Sequence, residues 1–175
     1  MDERNTRNGS SRSPSRNATR TLVLAALFAA IGVLLSSFAV PVGGARVLPF
    51  QHAINAVAGV LLGPWWAALS ALVTATLRFA FGTGSLFAFP GSPFGAVAVG
   101  LAYMYMKRDE AALFEPLGTI FIGATLGALL ISPFIGEATG GLVALAVSFA
   151  LSSIPGAIVG YFVLKALRRA GVLGR

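Results

Sequence analysis

No cysteine occurs anywhere in the 175 residues, so a disulfide framework, a thiolate metal site and a cysteine nucleophile are all excluded. Charge is nearly as scarce. Asp, Glu, Lys and Arg make up 11% of the chain, where a soluble domain carries about a quarter. Their placement is uneven as well. Asp2, Glu3, Arg4, Arg7, Arg12, Arg16 and Arg20 crowd the beginning, whereas Thr21 to Met106 contains only Arg46 and Arg78. Too few polar groups remain to cover a water-soluble globule of this size, which excludes a cytosolic enzyme, a nucleic-acid-binding domain and a secreted disulfide scaffold.

Other absences remove specific chemistries. Aspartate is limited to Asp2 and Asp109, so the clustered acids of a metal-dependent membrane transferase are missing. The chain has no Walker motif and therefore does not hydrolyse ATP itself. The single histidine, His52, precedes every serine of the later polar loop, the wrong order for an intramembrane serine protease. A proton-coupled carrier calls for buried carboxylates near the midplane, and Glu137 is the only candidate on this reading. An ion channel needs a polar lining through the whole bilayer, which is lacking. No catalytic residue, metal site or cofactor is expected.

What is present is apolar length. The uncharged runs are Thr21–Ala45, Val47–Leu77, Phe79–Met106, Pro116–Gly136 and Ala138–Leu164. A membrane helix needs roughly 20 apolar residues, so four runs hold one span each. Val47–Leu77 is divided by Gly63-Pro64, a turn signal followed by the interfacial pair Trp65-Trp66. Charge placement favours the division, because six spans bring the Arg-rich beginning, Lys107-Arg108 and the cluster Lys165, Arg168, Arg169 and Arg175 to one side, the cytoplasm. The net charge of +7 is thereby topological. The expectation is an all-α integral membrane protein of the cell membrane, multi-pass, a six-transmembrane-helix bundle with both termini cytoplasmic. Helices are expected near 20–40, 49–62, 64–80, 90–106, 115–134 and 139–168, the second of them short, tilted or partly re-entrant. Residues 1–19 read as a disordered Arg/Ser-rich cytoplasmic tail, 20–169 as the membrane domain and 170–175 as a short cytoplasmic tail. A signal peptide is the rival reading of the first span, but a polar leader of this length is long for that role, and five further spans follow.

Small residues recur at i,i+4. Gly59/Gly63, Gly91/Gly95, Gly123/Gly127 and Gly156/Gly160 suit close helix packing inside the bundle. Ala25/Ala29 and Ala26/Ala30 form an alanine stripe on a bulky first helix, which suits internal packing or the docking of a partner helix.

Polar side chains converge at one depth. Arg46 lies in the first outer loop. Gln51, His52 and Asn55 begin the second helix, with Gln51 and Asn55 one turn apart on one face. Arg78 ends the third helix, the loop from Gly82 to Ser92 carries Ser85, Phe87 and Phe89, and Glu137 joins the last two helices. All of these fall at the outer boundary, so the pattern fits a small-ligand site open to the outside. Each residue also has a plain alternative. Arg46 and Arg78 suit snorkelling anchors, or Arg78 a structural pair with Glu137. His52, Gln51 and Asn55 suit satisfaction of backbone at a helix start. Ser85 and Ser92 suit turn positions, and Phe87 and Phe89 suit a lipid-facing belt as well as a stacking wall.

The stretch from Pro41 through Arg46, Gln51 and His52 to Asn55, then Gly59 to Trp65, then Leu77-Arg78 and above all Gly82-Thr83-Gly84-Ser85-Leu86-Phe87-Ala88-Phe89-Pro90-Gly91-Ser92 closely resembles the ThiW family. A looser similarity runs on through Gly156 to Tyr161. The resemblance implies a substrate-capture (S) component of an energy-coupling factor (ECF) transporter for hydroxyethylthiazole, the thiazole precursor of thiamine. It implies an outward pocket closed by the first outer loop, a transmembrane coupling (T) subunit and two ATPase subunits as partners, and no nucleic acid. It also implies coupling-subunit contact through Ala25/Ala29 or Ala26/Ala30. The thiazole face would stack on Phe87, Phe89 or Trp65, and its nitrogen and hydroxyl would bond Gln51, His52, Asn55 or Arg78. An S component for thiamine or another small ring compound is the alternative within the class, and a solitary carrier or channel the alternative outside it.

Overall fold

In lipid the backbone must satisfy its own N–H and C=O groups, which for the long uncharged runs means helix. The computed structural model describes residues 16–42, 45–136 and 140–173. Its elements in order are α1 (Arg16–Leu35), a hairpin of β1 (Val40–Val42) and β2 (Ala45–Val47), α2 (Pro49–Leu62), α3 (Pro64–Ala80), α4 (Ala88–Met106), α5 (Asp109–Ile135) and α6 (Gly141–Arg169). Parts of α1, α5 and α6 are long and apolar enough to cross a membrane. By contrast α2, with 14 residues, is about 21 Å long at the helical rise, short of a hydrocarbon core of about 30 Å.

The short helix is nevertheless central. α2 packs against α1, α3, α4 and α6, and nine of its residues, from Gln51 to Val60, are buried. It begins with Pro49 at a position where a missing N–H costs nothing, and ends at Gly63, whose φ of 77° reverses the chain into Pro64. Gly63 therefore belongs to the turn, with open space where a side chain would stand, while its backbone and that of Pro64 lie close against Gly100 of α4. The other glycines expected at contacts do make them. Gly59 abuts Val99, Gly123 abuts Gly91, and Gly160 abuts Ala56. The remaining core is correspondingly small in side-chain volume: Ala56, Val57, Val60, Val99, Ala111, Ala112 and Leu164 cluster away from the hairpin. Outward positions carry the bulk, with Leu22, Leu27, Phe79, Phe121, Leu129, Phe134, Val143 and Phe162 all exposed, an arrangement suited to lipid.

Three boundaries differ from expectation. α1 starts at Arg16 and stops at Leu35, where the sequence reading ran it from 20 to 40. Ser36 ends it, its hydroxyl donating to the Val33 carbonyl at 2.6 Å, a local bond that competes with helix continuation. Residues 16–19 of the expected tail are thus helical, and 1–15 lie outside the described residues. Asp109–Phe114, expected as loop, is a 3-10 turn that opens α5. It is held there by Arg168, whose Nε donates to both Asp109 carboxylate oxygens at 2.7 Å, and by Lys165, which reaches Glu110 at 3.3 Å. Beyond it, α5 widens into π-type turns over Leu117–Gly123 and Gly127–Ile131.

The alanine stripe divides. Ala25 and Ala29 are buried against α3, where Ser70 donates to the Ala25 carbonyl at 2.9 Å and Thr74 to the Ala29 carbonyl at 3.3 Å. Ala26 and Ala30 point outward and are exposed.

Candidate functional site

At the hairpin end, the helices enclose a cavity of about 320 Å³. Arg46 of β2, Gln51 and His52 of α2, Arg78 of α3, Gly82 to Ser85 and Phe87 of the following loop, Gly91 and Ser92 of α4, and Leu145, Ser148, Phe149 and Ser152 of α6 form its wall.

Arg78 organises the rim. It is almost wholly buried, and its guanidinium donates to Gln51 Oε1 and, at 3.1 Å, to the Thr83 carbonyl. In return the Thr83 and Gly84 amides donate to the Arg78 carbonyl, each at 2.9 Å, and the Thr83 hydroxyl does so at 3.2 Å. The loop is clipped to the last turn of α3. This explains the glycines of the Gly-Thr-Gly string: Gly82 has φ 69°, and a Cβ on Gly84 would press on the Arg78 side chain and the Phe79 amide. The Arg78 Nε has no hydrogen-bond partner among the described residues.

Gln51 passes the network onward, its Nε2 donating to Ser92 Oγ at 2.8 Å. Asn55, one turn along, donates to the Ser92 carbonyl at 3.4 Å, so the shared face seen in the sequence is the face that meets α4. Asn55 lies beneath the cavity and does not line it. On the opposite wall, Ser152 accepts from the Leu48 amide at 3.2 Å, tying the end of the hairpin to α6. A larger residue at Gly91 would meet the Phe149 ring, which leaves that ring against the cavity.

A buried carboxylate, absent from the sequence reading, sits below. Glu115 is fully buried, and its Oε1 lies 2.7 Å from His52 Nδ1, 2.9 Å from the Thr119 hydroxyl and 3.4 Å from Asn55 Nδ2. Its Oε2 has no partner among the described residues. The sequence reading started the fifth helix at 115 and assigned Glu115 no role, with only Glu137 considered as a buried carboxylate. The 3-10 turn and the bare α4 surface at Gly95 carry it up into the bundle instead: a Cβ on Gly95 would collide with the Glu115 carboxylate and the Thr119 hydroxyl. The expectation that Glu137 is the only candidate for a buried carboxylate is therefore corrected.

Of the remaining expected residues, Arg46, Gln51, His52, Arg78, Ser85 and Phe87 meet at the cavity. Phe89 does not line it; its ring packs edge-on against Phe79, with centroids 6.0 Å apart. Trp65 is also elsewhere, 74% exposed and thirteen residues, about 20 Å of helix, from Arg78. Glu137 lies outside the described residues, and the described partners of Arg78 are Gln51 and the Thr83 backbone. The reading missed Ser148, Phe149 and Ser152. Their signal was Ser148 and Ser152 at i,i+4 in the uncharged part of the last helix.

No curated protein matches the sequence. Among solved structures, the S-component for biotin from an ECF-type ABC transporter shares the fold, with a TM-score of 0.60 and 20% identity over 93% of this chain and 96% of that one. Residues 22–170 match the family model of the thiamine-precursor transporter protein, ThiW. That match takes in the hairpin, the whole cavity wall and every described helix but for residues 16–21 of α1, and the chain belongs to the ThiW family.

Proposed function

We propose that this chain is the membrane-embedded substrate-capture subunit of an ECF-type importer, and that its ligand is hydroxyethylthiazole taken from outside the cell. In this reading six helices cross the bilayer, both termini are cytoplasmic, and the hairpin end faces outward. A coupling subunit and two ATPase subunits supply the energy, since the chain has no nucleotide motif of its own. The exposed Ala26/Ala30 pair is the part of the alanine stripe left for the coupling subunit, because Ala25 and Ala29 are occupied by α3.

The observation that carries the ligand assignment is the character of the cavity wall. Among the described residues it offers Arg46 and Arg78, amide, hydroxyl and imidazole groups, and the rings of Phe87 and Phe149, but no carboxylate. A cationic ring compound such as thiamine would meet two guanidinium groups and no lining anion, so a neutral ring fits better. A thiazole can lay its face on an aromatic wall while its nitrogen accepts from one donor and its hydroxyl exchanges hydrogen bonds with others.

Mass spectrometry of small molecules retained by the detergent-solubilised protein, followed by equilibrium dialysis with hydroxyethylthiazole and with thiamine, tests this. Saturable binding of the thiazole alcohol with weaker binding of thiamine is expected. Preference for the cation would overturn the assignment, and uptake by the chain alone in proteoliposomes would overturn the need for an energising module.

A further inference from the structure

Glu115 does not line the cavity, and of the three side chains that bond it only His52 does. Three groups converge on its Oε1, namely His52 Nδ1, Asn55 Nδ2 and the Thr119 hydroxyl, whereas Oε2 meets no partner. A carboxylate accepts hydrogen bonds and donates none, and an acid proton on Oε2 would find no acceptor. With Glu115 ionised, the short contact runs from the imidazole Nδ1–H to Oε1. His52 also lines the cavity, and its Nε2 has neither a described partner nor a place among the sealed, unpartnered atoms. The amide and guanidinium groups of the wall are committed or are donors, while its serine hydroxyls can donate as well as accept. Gln51 spends its oxygen on Arg78 and an N–H on Ser92, and Arg46 and Arg78 have only N–H groups to give.

We propose that Glu115 is a positioning residue: it holds His52 as the Nδ1–H tautomer, so that Nε2 presents a lone pair to the cavity and the site selects a ligand bearing a hydroxyl or N–H donor. The inference deepens the assignment above and rests on the cavity being the ligand site. For a thiazole alcohol, the hydroxyl proton is the group read by Nε2. A site built to pair such a group discriminates against an analogue without it, because the buried acceptor is then left bare.

His52 is the only histidine in the chain, so ring-¹⁵N-histidine labelling of the full protein, purified without a histidine tag, gives a spectrum of this residue alone. In the wild type, Nδ1 is expected in the protonated pyrrole-type range and Nε2 in the bare pyridine-type range, with Nε2 shifting when hydroxyethylthiazole is added. Glu115→Gln, which can donate as well as accept, should populate the Nε2–H tautomer and weaken hydroxyethylthiazole binding about tenfold. Binding of the analogue with ethyl in place of hydroxyethyl should be unchanged, and Glu115→Asp should keep the wild-type tautomer. An Nε2–H tautomer in the wild type, or an equal loss of both thiazoles in Glu115→Gln, would overturn the proposal. Failure of the wild type to bind either thiazole would instead overturn the ligand assignment, and the wild-type spectrum would still decide the role of Glu115.

Discussion

The guanidinium of Arg78 donates to the amide oxygen of Gln51, and that bond settles which way the amide faces. Arginine has no acceptor, so the Gln51 oxygen must point to α3 and its NH2 to Ser92 on α4. One hydrogen bond thus sets the polarity of a three-helix network at the mouth of the cavity.

Replacing Arg78 removes the hub. Arg78→Ala leaves the Gln51 oxygen bare and releases the loop at Thr83, so ligand affinity should fall at least about tenfold, with a stability loss of about 1–3 kcal/mol. Arg78→Lys should not restore binding, because an ammonium lacks the planar fork that reaches Gln51 and the Thr83 carbonyl together. Equilibrium dialysis and thermal unfolding in detergent read the two effects. Wild-type affinity in Arg78→Lys would show that charge alone suffices.

The two faces of α1 should separate stability from transport. Ala25→Leu forces α1 away from Ser70 and should lower the unfolding temperature, by overpacking worth about 1–3 kcal/mol. Ala26→Trp projects outward and should leave unfolding and ligand binding unchanged, while uptake in cells carrying the energising module is lost. Normal uptake with Ala26→Trp and Ala30→Trp combined would exclude that face as the docking surface.

Gly95 is the gap through which α5 delivers Glu115. Gly95→Ala places a methyl group against the carboxylate and the Thr119 hydroxyl, with an expected cost of about 1–3 kcal/mol and a disturbed His52 resonance. Ala98→Gly, about one turn along α4, serves as the control for helix propensity, at about 1 kcal/mol. An undisturbed histidine spectrum in Gly95→Ala would mean that the backbone yields and the pair survives.

Because the chain has no cysteine, single-cysteine variants can report sidedness without background. Ser85→Cys, at the exposed hairpin-end loop, should react with a membrane-impermeant thiol reagent added to intact cells. Ala170→Cys, exposed just after α6, should react only after the membrane is opened. The reverse pattern would turn the cavity toward the cytoplasm and remove the basis for capture from outside.

Much of this arrangement was legible because it is local. Gly63-Pro64 splits the long apolar run for backbone reasons, and the observed helices meet there at Leu62 and Pro64. The spacing of Gln51 and Asn55 announced a common face, and both side chains reach Ser92. Glu115 was passed over for an equally physical reason. It stands at the expected start of a helix, next to Pro116, and nothing nearby in sequence marks the 3-10 turn that lifts it beside Gly95. The alanine stripe was ambiguous because two i,i+4 pairs offset by one residue look alike until a neighbouring helix chooses between them.

The sequence by itself determined residence in the bilayer, the approximate helices and the end of the bundle that carries hydrogen-bonding groups, since these follow from apolar length, turn residues and charge placement. Only the tertiary structure decided that Glu115 lies under His52, that Ser148, Phe149 and Ser152 complete the wall, and that Ala25 faces inward while Ala26 does not. Those facts depend on the rotation and axial shift of each helix against its neighbours, which close glycine contacts between distant segments set and local sequence does not.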